Sequence, residues 1–407
     1  KHVNAGPDDV LLNVGFGMTA AINKLQRILG LKLPEQWKKY FSIPKELRPV
    51  VFVTHLEHHS NHTTWHETLA DVVVLKPTSE GLVDLEDLHD VLRKYKNRKV
   101  KIGSFTACSN VTSVPTPYHT MAKVMHEHGG LCFVDFAASA PYVPMNMHPK
   151  DPLEKLDAII FSPHKFLGGP GTSGILLFDS GIYHLKSPDQ PGGGTVLWTN
   201  PWGKHRFKPE IEEREDGGTP GFLQAIKAAL AVRLKEEMGE ENLQRREEEL
   251  VAKLFASLRS IPRLAILADT IEHRLGMFSF YFEHLHYNLA VKLLNDRFGI
   301  QARGGCSCAG TYGHYLLHVD KYTSKRITDK IDQGDLSIKP GWVRLSIHPT
   351  TTDEDVDFIV DALKNIGKEG KKWESDYTYD SHANEYRHKD DRSELQHAVE
   401  GWFREEE

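Results

Sequence analysis

The chain has 407 residues, with 50 basic against 56 acidic side chains and a net charge of −6. That length suggests two domains, each with an ordinary hydrophobic core. The charge balance speaks against nucleic acid or an anionic membrane as a partner, and no apolar run approaches the length of a membrane span.

Along the chain, Gly15-Phe-Gly-Met-Thr19 comes first and opens a helix, Ala20-Ala-Ile-Asn-Lys-Leu25. Glycines permit the tight turn and leave the first-turn N–H groups and the Thr19 hydroxyl aimed at an anion, although Gly-x-Gly before a helix is often only a turn. Short apolar runs follow: Val50-Val-Phe-Val53, Asp71-Val-Val-Val-Leu75, Lys101-Ile-Gly-Ser-Phe105, Leu131-Cys-Phe-Val134, Ala158-Ile-Ile-Phe161 and Gly174-Ile-Leu-Leu177. Amphipathic segments lie between several of them, as at 84–96 and 117–128. This alternation predicts an α/β fold with a mostly parallel sheet covered by helices on both faces. Ligands in such sheets collect at the carboxyl ends of the strands. Residues 221–261 read as long helices. The C-terminal part has strand-like 276–282 and 342–346, a helix near 289–298 and a closing helix at 352–367. The expected division is a large domain 1–235, a smaller α+β domain 236–370 and a charged extension 371–407, partly helical near its end.

Lysine is a poor choice for a tight bend between buried strands unless its amine has work to do. Lys165 sits in Ser162-Pro-His-Lys165, just after the run ending at Phe161 and before a glycine-rich turn. Thirty residues upstream the run at 131–134 ends on Asp135. A strand-terminal Asp and a strand-terminal Lys are what pyridoxal phosphate (PLP) needs: the Lys holds the cofactor as a Schiff base and the Asp pairs with its protonated ring nitrogen. Each residue alone reads more simply, as an exposed Lys and a helix-capping Asp.

Five histidines fall between Thr54 and His66. A metallo-hydrolase would want H-x-H-x-D-H, but from His55 the pattern gives Glu57, His59 and Ser60, and no H-E-x-x-H is present, so no metal site is expected. Cys132 lies in an apolar run and reads as core, whereas Cys306 and Cys308 occupy a polar, Gly-rich loop. Two thiols without a second pair make structural zinc a poor explanation. Four cysteines in all are too few for a secreted disulfide framework.

In Glu57-His-His-Ser-Asn61, Ser109-Asn-Val111, Asp135, Ser162-Pro-His-Lys165, Gly218-Thr-Pro220, Arg303-x-x-x-x-Cys308 and Arg344, the chain resembles the class V aminotransferase family of fold type I PLP enzymes. Within it the likeness is to the cysteine desulfurase and selenocysteine lyase branch. The matching blocks run in order from Gly15 to about Ile366. The resemblance implies that Gly17, Met18 and Thr19, with Ser162 and His164, hold the cofactor phosphate. It implies that His58 stacks on the ring and carries protons, and that Asn110 bonds the phenolic oxygen. Thr219 would reach the phosphate of a neighbouring subunit, implying a homodimer. Arg344 would grip the substrate carboxylate, which suits a planar guanidinium, with a solvated strand-edge arginine as the plain alternative. Cys308, near Arg303, would be the thiolate that takes sulfur from cysteine; a relay with Cys306 or a non-catalytic loop are the other readings. Two departures stand out: Ala138 occupies the place where desulfurases usually carry Gln, and Ser307 a place that is often His.

The function expected is therefore removal of sulfur from L-cysteine, giving alanine and a protein persulfide, with a sulfur-acceptor protein as a further partner. The alternative is another reaction of the family, an aminotransferase, β-lyase or epimerase acting on a small amino acid. A degenerate PLP-binding scaffold is the third. Cytoplasmic location is expected. The chain begins at Lys1 without Met, close to the glycine loop, so an N-terminally incomplete sequence is expected and a targeting peptide stays open.

Overall fold

The computed structural model describes residues 1–391 and 394–403, with backbone alone at 394–396. It falls into two compact units. The first comprises Lys1–Val251, Thr270–Met277 and Cys308–Tyr312; the second comprises Ala252–Asp269, Phe278–Ser307 and Gly313–Glu407. Cys308 thus belongs with the first unit, and Arg303, Cys306 and Arg344 with the second.

The first unit is built on seven strands: β1 (Asp9–Val14), β2 (Val50–Val53), β3 (Asp71–Val74), β4 (Lys101–Thr106), β5 (Leu131–Asp135), β6 (Ala158–Phe161) and β7 (Gly174–Asp179). Their order is β1-β7-β6-β5-β4-β2-β3. The pairs β2–β3, β2–β4, β4–β5 and β5–β6 are parallel, while β7 runs antiparallel to both β6 and β1. Reversal at β7 and again at β1 makes β1 run with the five parallel strands. Six strands therefore end at one edge of the sheet, and the loops leaving them meet there.

The six apolar runs are strands because both faces of the sheet are covered; Val50, Val51, Phe52 and Val53 are all fully buried. β1 was not anticipated. Its signal is an alternation, with Val10, Leu12 and Val14 buried and Leu11 exposed, as suits an edge strand. Helix α1 (Gly17–Ile28) lays Ala21, Ile22 and Leu25 on the sheet against Leu12, Ile160, Leu176 and Phe178. A buried ion pair, Lys24 Nζ to Glu215 Oε2 at 2.8 Å, ties α1 to the helix Ile211–Glu215, and the Tyr183 hydroxyl donates to the same carboxylate at 2.7 Å.

The second unit holds a four-stranded sheet in the order Leu264–Ile266, Met277–Phe282, Trp342–Ser346, Arg303–Gly305, with helices Tyr287–Phe298 and Asp353–Trp373. The last helix outruns the expected end at 367. Gly370 does not stop it, because a Cβ there would come within 2.6 Å of Leu285 Cδ1: the glycine allows close packing. The extension carries a hairpin, Tyr377–Asp380 with Glu385–His388, and a helix Glu394–Gly401. Among the described residues no helix is long and apolar enough to cross a membrane.

Candidate active site

The loops at the carboxyl edge of the first sheet bring most of the predicted residues together. β1 runs through Gly15 into the first turn of α1. Gly17 has φ +61°, and a Cβ on it would lie 2.6 Å from His164 Cε1 and 2.9 Å from Ser162 Oγ. The Met18 N–H donates to Ser162 Oγ at 2.9 Å, and the Thr19 and Ser60 hydroxyls are 2.6 Å apart. Gly17, Met18, Thr19, Ser162 and His164 thus form one cradle around a helix N-terminus. Phe16, in the N-cap position, offers that end no side-chain acceptor. Burial, and then the Lys165 charge, lower the pKa of His164, so its ring is neutral at physiological pH.

Next to this cradle, β5 ends on Asp135 and β6 leads through Ser162 to Lys165. Asp135 is 5% exposed and Oδ1 accepts from the Ala137 N–H at 2.8 Å. Burial pushes its carboxyl up to about 6, while the Ala137 N–H and the Lys165 charge pull it back. Lys165 itself is exposed to the open side. Asn110 is buried in the turn after β4, where the Ser109 hydroxyl accepts from the Val111 and Thr112 N–H groups at 3.1 and 3.3 Å.

His58 caps the helix His59–His66: its Nδ1 accepts from the Ser60 N–H at 3.1 Å, which places the ring proton on Nε2. Beneath it lies Glu57, which the motif contained but to which no role was given. Its carboxylate accepts from Thr54 N–H and hydroxyl at 3.1 and 2.7 Å, from Thr106 N–H at 2.9 Å and from Asn61 Nδ2 at 2.7 Å. Burial raises its pKa to about 8 despite these donors. Glu57 staples the turn after β2 to the last residue of β4 and to the helix His59–His66, so His58 stands on a braced turn. The only hint in the sequence was a polar Thr54-x-x-Glu57 directly after a wholly apolar strand.

Cys308 also reaches this region, through the His59 backbone: the His59 N–H donates to the Cys308 carbonyl at 2.8 Å. Ser139, one residue past Ala138, is 2% exposed, and its hydroxyl has no hydrogen-bond partner among the described residues. Thr219 is exposed in the loop before helix Phe222–Met238. The neighbouring Pro220 and Gly221 line a cavity of about 580 Å³ together with Gly15, Phe16 and Thr172. In the second unit, Arg303 and Arg344 are directly opposite one another across an antiparallel pair, and Trp342 Nε1 donates to Ser307 Oγ at 3.1 Å.

The model of the class-V aminotransferase family matches residues 44–359, most of the chain. The chain belongs to that family. Members of it use PLP, and the cradle fits the cofactor: a Gly17 packed closely on Ser162 and His164, N–H and hydroxyl donors for a phosphate, a buried Asp and a nearby Lys. Among curated relatives, a probable cysteine desulfurase of Halalkalibacterium halodurans is 28% identical over 269 residues, 64% of this chain and 61% of that protein. A probable cysteine desulfurase of Staphylococcus epidermidis is 28% identical over 319 residues, 77% of this chain and 69% of the relative. The match thus spans under two thirds of the first relative's length. Among solved structures, the apo cysteine desulfurase of Thermococcus onnurineus NA1 superposes with a TM-score of 0.68 at 22% identity, covering 89% of this chain and 79% of that one. A NifS-like protein of Rickettsia africae gives 0.63 at 19%, covering 89% and 82%. These likenesses establish the fold type I architecture that the sequence implied.

Proposed function

We propose that this protein is a PLP-dependent, cysteine desulfurase-like enzyme that takes sulfur from L-cysteine, releasing alanine and leaving a persulfide on Cys308. The observation that carries it is the meeting of Asp135 and Lys165 beside the Gly17 cradle, with the Cys308 loop bonded to the residue next to His58. Bound there, PLP supplies an electron sink for the charge that develops at the substrate α-carbon. Gly17, Met18, Thr19, Ser162 and His164 would hold its phosphate, His58 would cover its ring, and Asn110 and Asp135 would bond its phenolic oxygen and ring nitrogen. Asp135 is ionised at neutral pH, as that pairing needs, because its pKa lies near 6.

Lys165 would hold the cofactor, and its free amine would be the base for the proton on the substrate α-carbon. Arg344 and Arg303 supply the positive charge for the substrate carboxylate, which the planar guanidinium fork suits. The Cys308 thiolate attacks the substrate sulfur. An S–S bond forms, the C–S bond breaks with its electrons on the carbon fragment, and protonation of that fragment gives alanine.

The partners that suit this reading are a second copy of the chain and a sulfur-acceptor protein. The helix Phe222–Met238 supports the first: Phe222, Leu223, Ile226, Leu230 and Leu234 form an exposed apolar stripe, Leu223 being 78% exposed, directly after the Thr219 loop. A reducing location such as the cytoplasm suits free thiols.

A second reading, an aminotransferase, β-lyase or epimerase reaction, is favoured by Ala138 alone, which cannot donate to the cofactor as a Gln would. The deciding experiment incubates the protein with L-cysteine, then alkylates and digests it. Persulfide on Cys308, with alanine and sulfide formation abolished in Cys308→Ala and little changed in Cys306→Ala, is the expected result. Full turnover in the Cys306, Cys308 double variant on any amino acid would hand the case to the second reading.

A further inference from the structure

Two adjacent histidines divide their work. His58 spends Nδ1 on capping its own helix, whereas His59 turns away, with the ring centroids 6.3 Å apart. His59 bonds the Cys308 loop twice. Its N–H donates to the Cys308 carbonyl at 2.8 Å, and its Nε2 accepts from the Gly310 N–H at 2.9 Å. One residue therefore brackets Cys308–Gly310 from both ends. One turn along the same helix, His62 Nδ1 lies 3.3 Å from the Thr311 hydroxyl, and the Tyr312 and Thr112 hydroxyls are 3.1 Å apart.

The loop needs such bonds. Ser307 and Cys308 have φ of +53° and +58°, the left-handed region, which costs a non-glycine residue on the order of 1–2 kcal/mol. Two hydrogen bonds at about 1 kcal/mol each are of the size that decides whether this conformation persists. Gly310 also fits the bracket, since a Cβ there would press to 3.3 Å from His59 Nε2.

We propose that His59 is the positioning residue for Cys308: its imidazole, through the Gly310 N–H, holds the thiol-bearing loop in the strained conformation from which the thiol acts. This rests on the reading of Cys308 as nucleophile. His59 acts through the backbone of the loop and takes no part in proton transfer. Because Nε2 accepts, the ring is neutral with its proton on Nδ1.

The test compares wild type, His59→Ala and His59→Gln; glutamine retains a carbonyl acceptor, and the backbone bond to Cys308 survives in all three. Two readouts are independent of turnover: hydrogen exchange of the peptide 306–312, and the rate of Cys308 alkylation by iodoacetamide, each with and without cofactor. His59→Ala should speed exchange at Gly310 about 5–30-fold and shift the alkylation rate, with partial recovery in His59→Gln. In the desulfurase assay kcat should fall at least tenfold with KM little changed. Wild-type exchange and alkylation in His59→Ala would overturn the proposal. If both readouts shift while the wild type forms no persulfide, the positioning stands and the assigned reaction falls.

Discussion

Substituting Gly17 with Ala probes the cradle directly. With φ +61° at that position, an alanine pays about 1–2 kcal/mol for the left-handed backbone. Its Cβ would stand 2.6 Å from His164 Cε1 and 2.9 Å from Ser162 Oγ, so both must move, at an overpacking cost of about 1–3 kcal/mol. The loss of stability should therefore be about 2–5 kcal/mol. Gly30 supplies the control: it has φ +68° with nothing within 4 Å, so Gly30→Ala carries only the backbone part. Urea unfolding of the cofactor-free proteins measures the difference, taken from the first transition because the chain has two units. Displacing Ser162 also disturbs the hydroxyl that the Met18 N–H bonds. PLP, measured by equilibrium dialysis, should bind at least tenfold more weakly to Gly17→Ala, a change of about 1.4 kcal/mol or more, and normally to Gly30→Ala. If the two variants are equally stable and both keep wild-type affinity, Gly17 does not form the cofactor cradle.

Further outcomes are expected. Borohydride reduction of the yellow protein should fix the cofactor on Lys165, and Lys165→Ala should be colourless or hold PLP loosely; reduced cofactor found by mass spectrometry on a different lysine contradicts the assignment. Leu230→Glu, on the apolar stripe, should shift the sedimentation coefficient from dimer to monomer, and a wild-type monomer at micromolar concentration refutes that interface. His55 is fully buried, and burial lowers its pKa to about 4, with the Gly81 carbonyl opposing. Its folded value is below the ordinary 6.5, so the unfolded chain binds the extra proton first as pH falls. The stability it protects is complete above about 6.5 and is lost toward 4, a span worth up to about 3 kcal/mol. Urea unfolding between pH 7 and pH 4 should show that loss in wild type and not in His55→Gln; parallel curves would refute it.

What the sequence determined by itself is local. Wholly apolar runs of four to six residues specify buried strands, because only a sheet covered on both faces accommodates them. A Lys and an Asp placed just after such runs must emerge at the carboxyl edge if the strands are parallel, so the meeting of Lys165 and Asp135 at that edge was legible from order alone. The family's motifs added the residues of the Gly17 cradle, because each motif is contiguous. The long helices and the Asp84 and Thr352 caps follow from neighbours within one turn.

The tertiary structure decided what depends on chain segments far apart. The return of β7 and β1, which sets six strands running one way, has no local signature. Gly17 is required by His164 and Ser162, and Gly174 by the Gly17 backbone, which a Cβ there would approach to 2.4 Å from the carbonyl oxygen. Glu57 looked like one member of a motif until the donors from Thr106 and Asn61 closed around it. The family resemblance gave the first histidine of the pair a role at the cofactor ring and the second only a place in the surroundings. Its contact with Gly310 joins residues 251 positions apart, and only a folded chain reveals which of the two rings bonds the thiol loop. Hydrogen bonding at such separations follows from packing and topology, which residue order does not display.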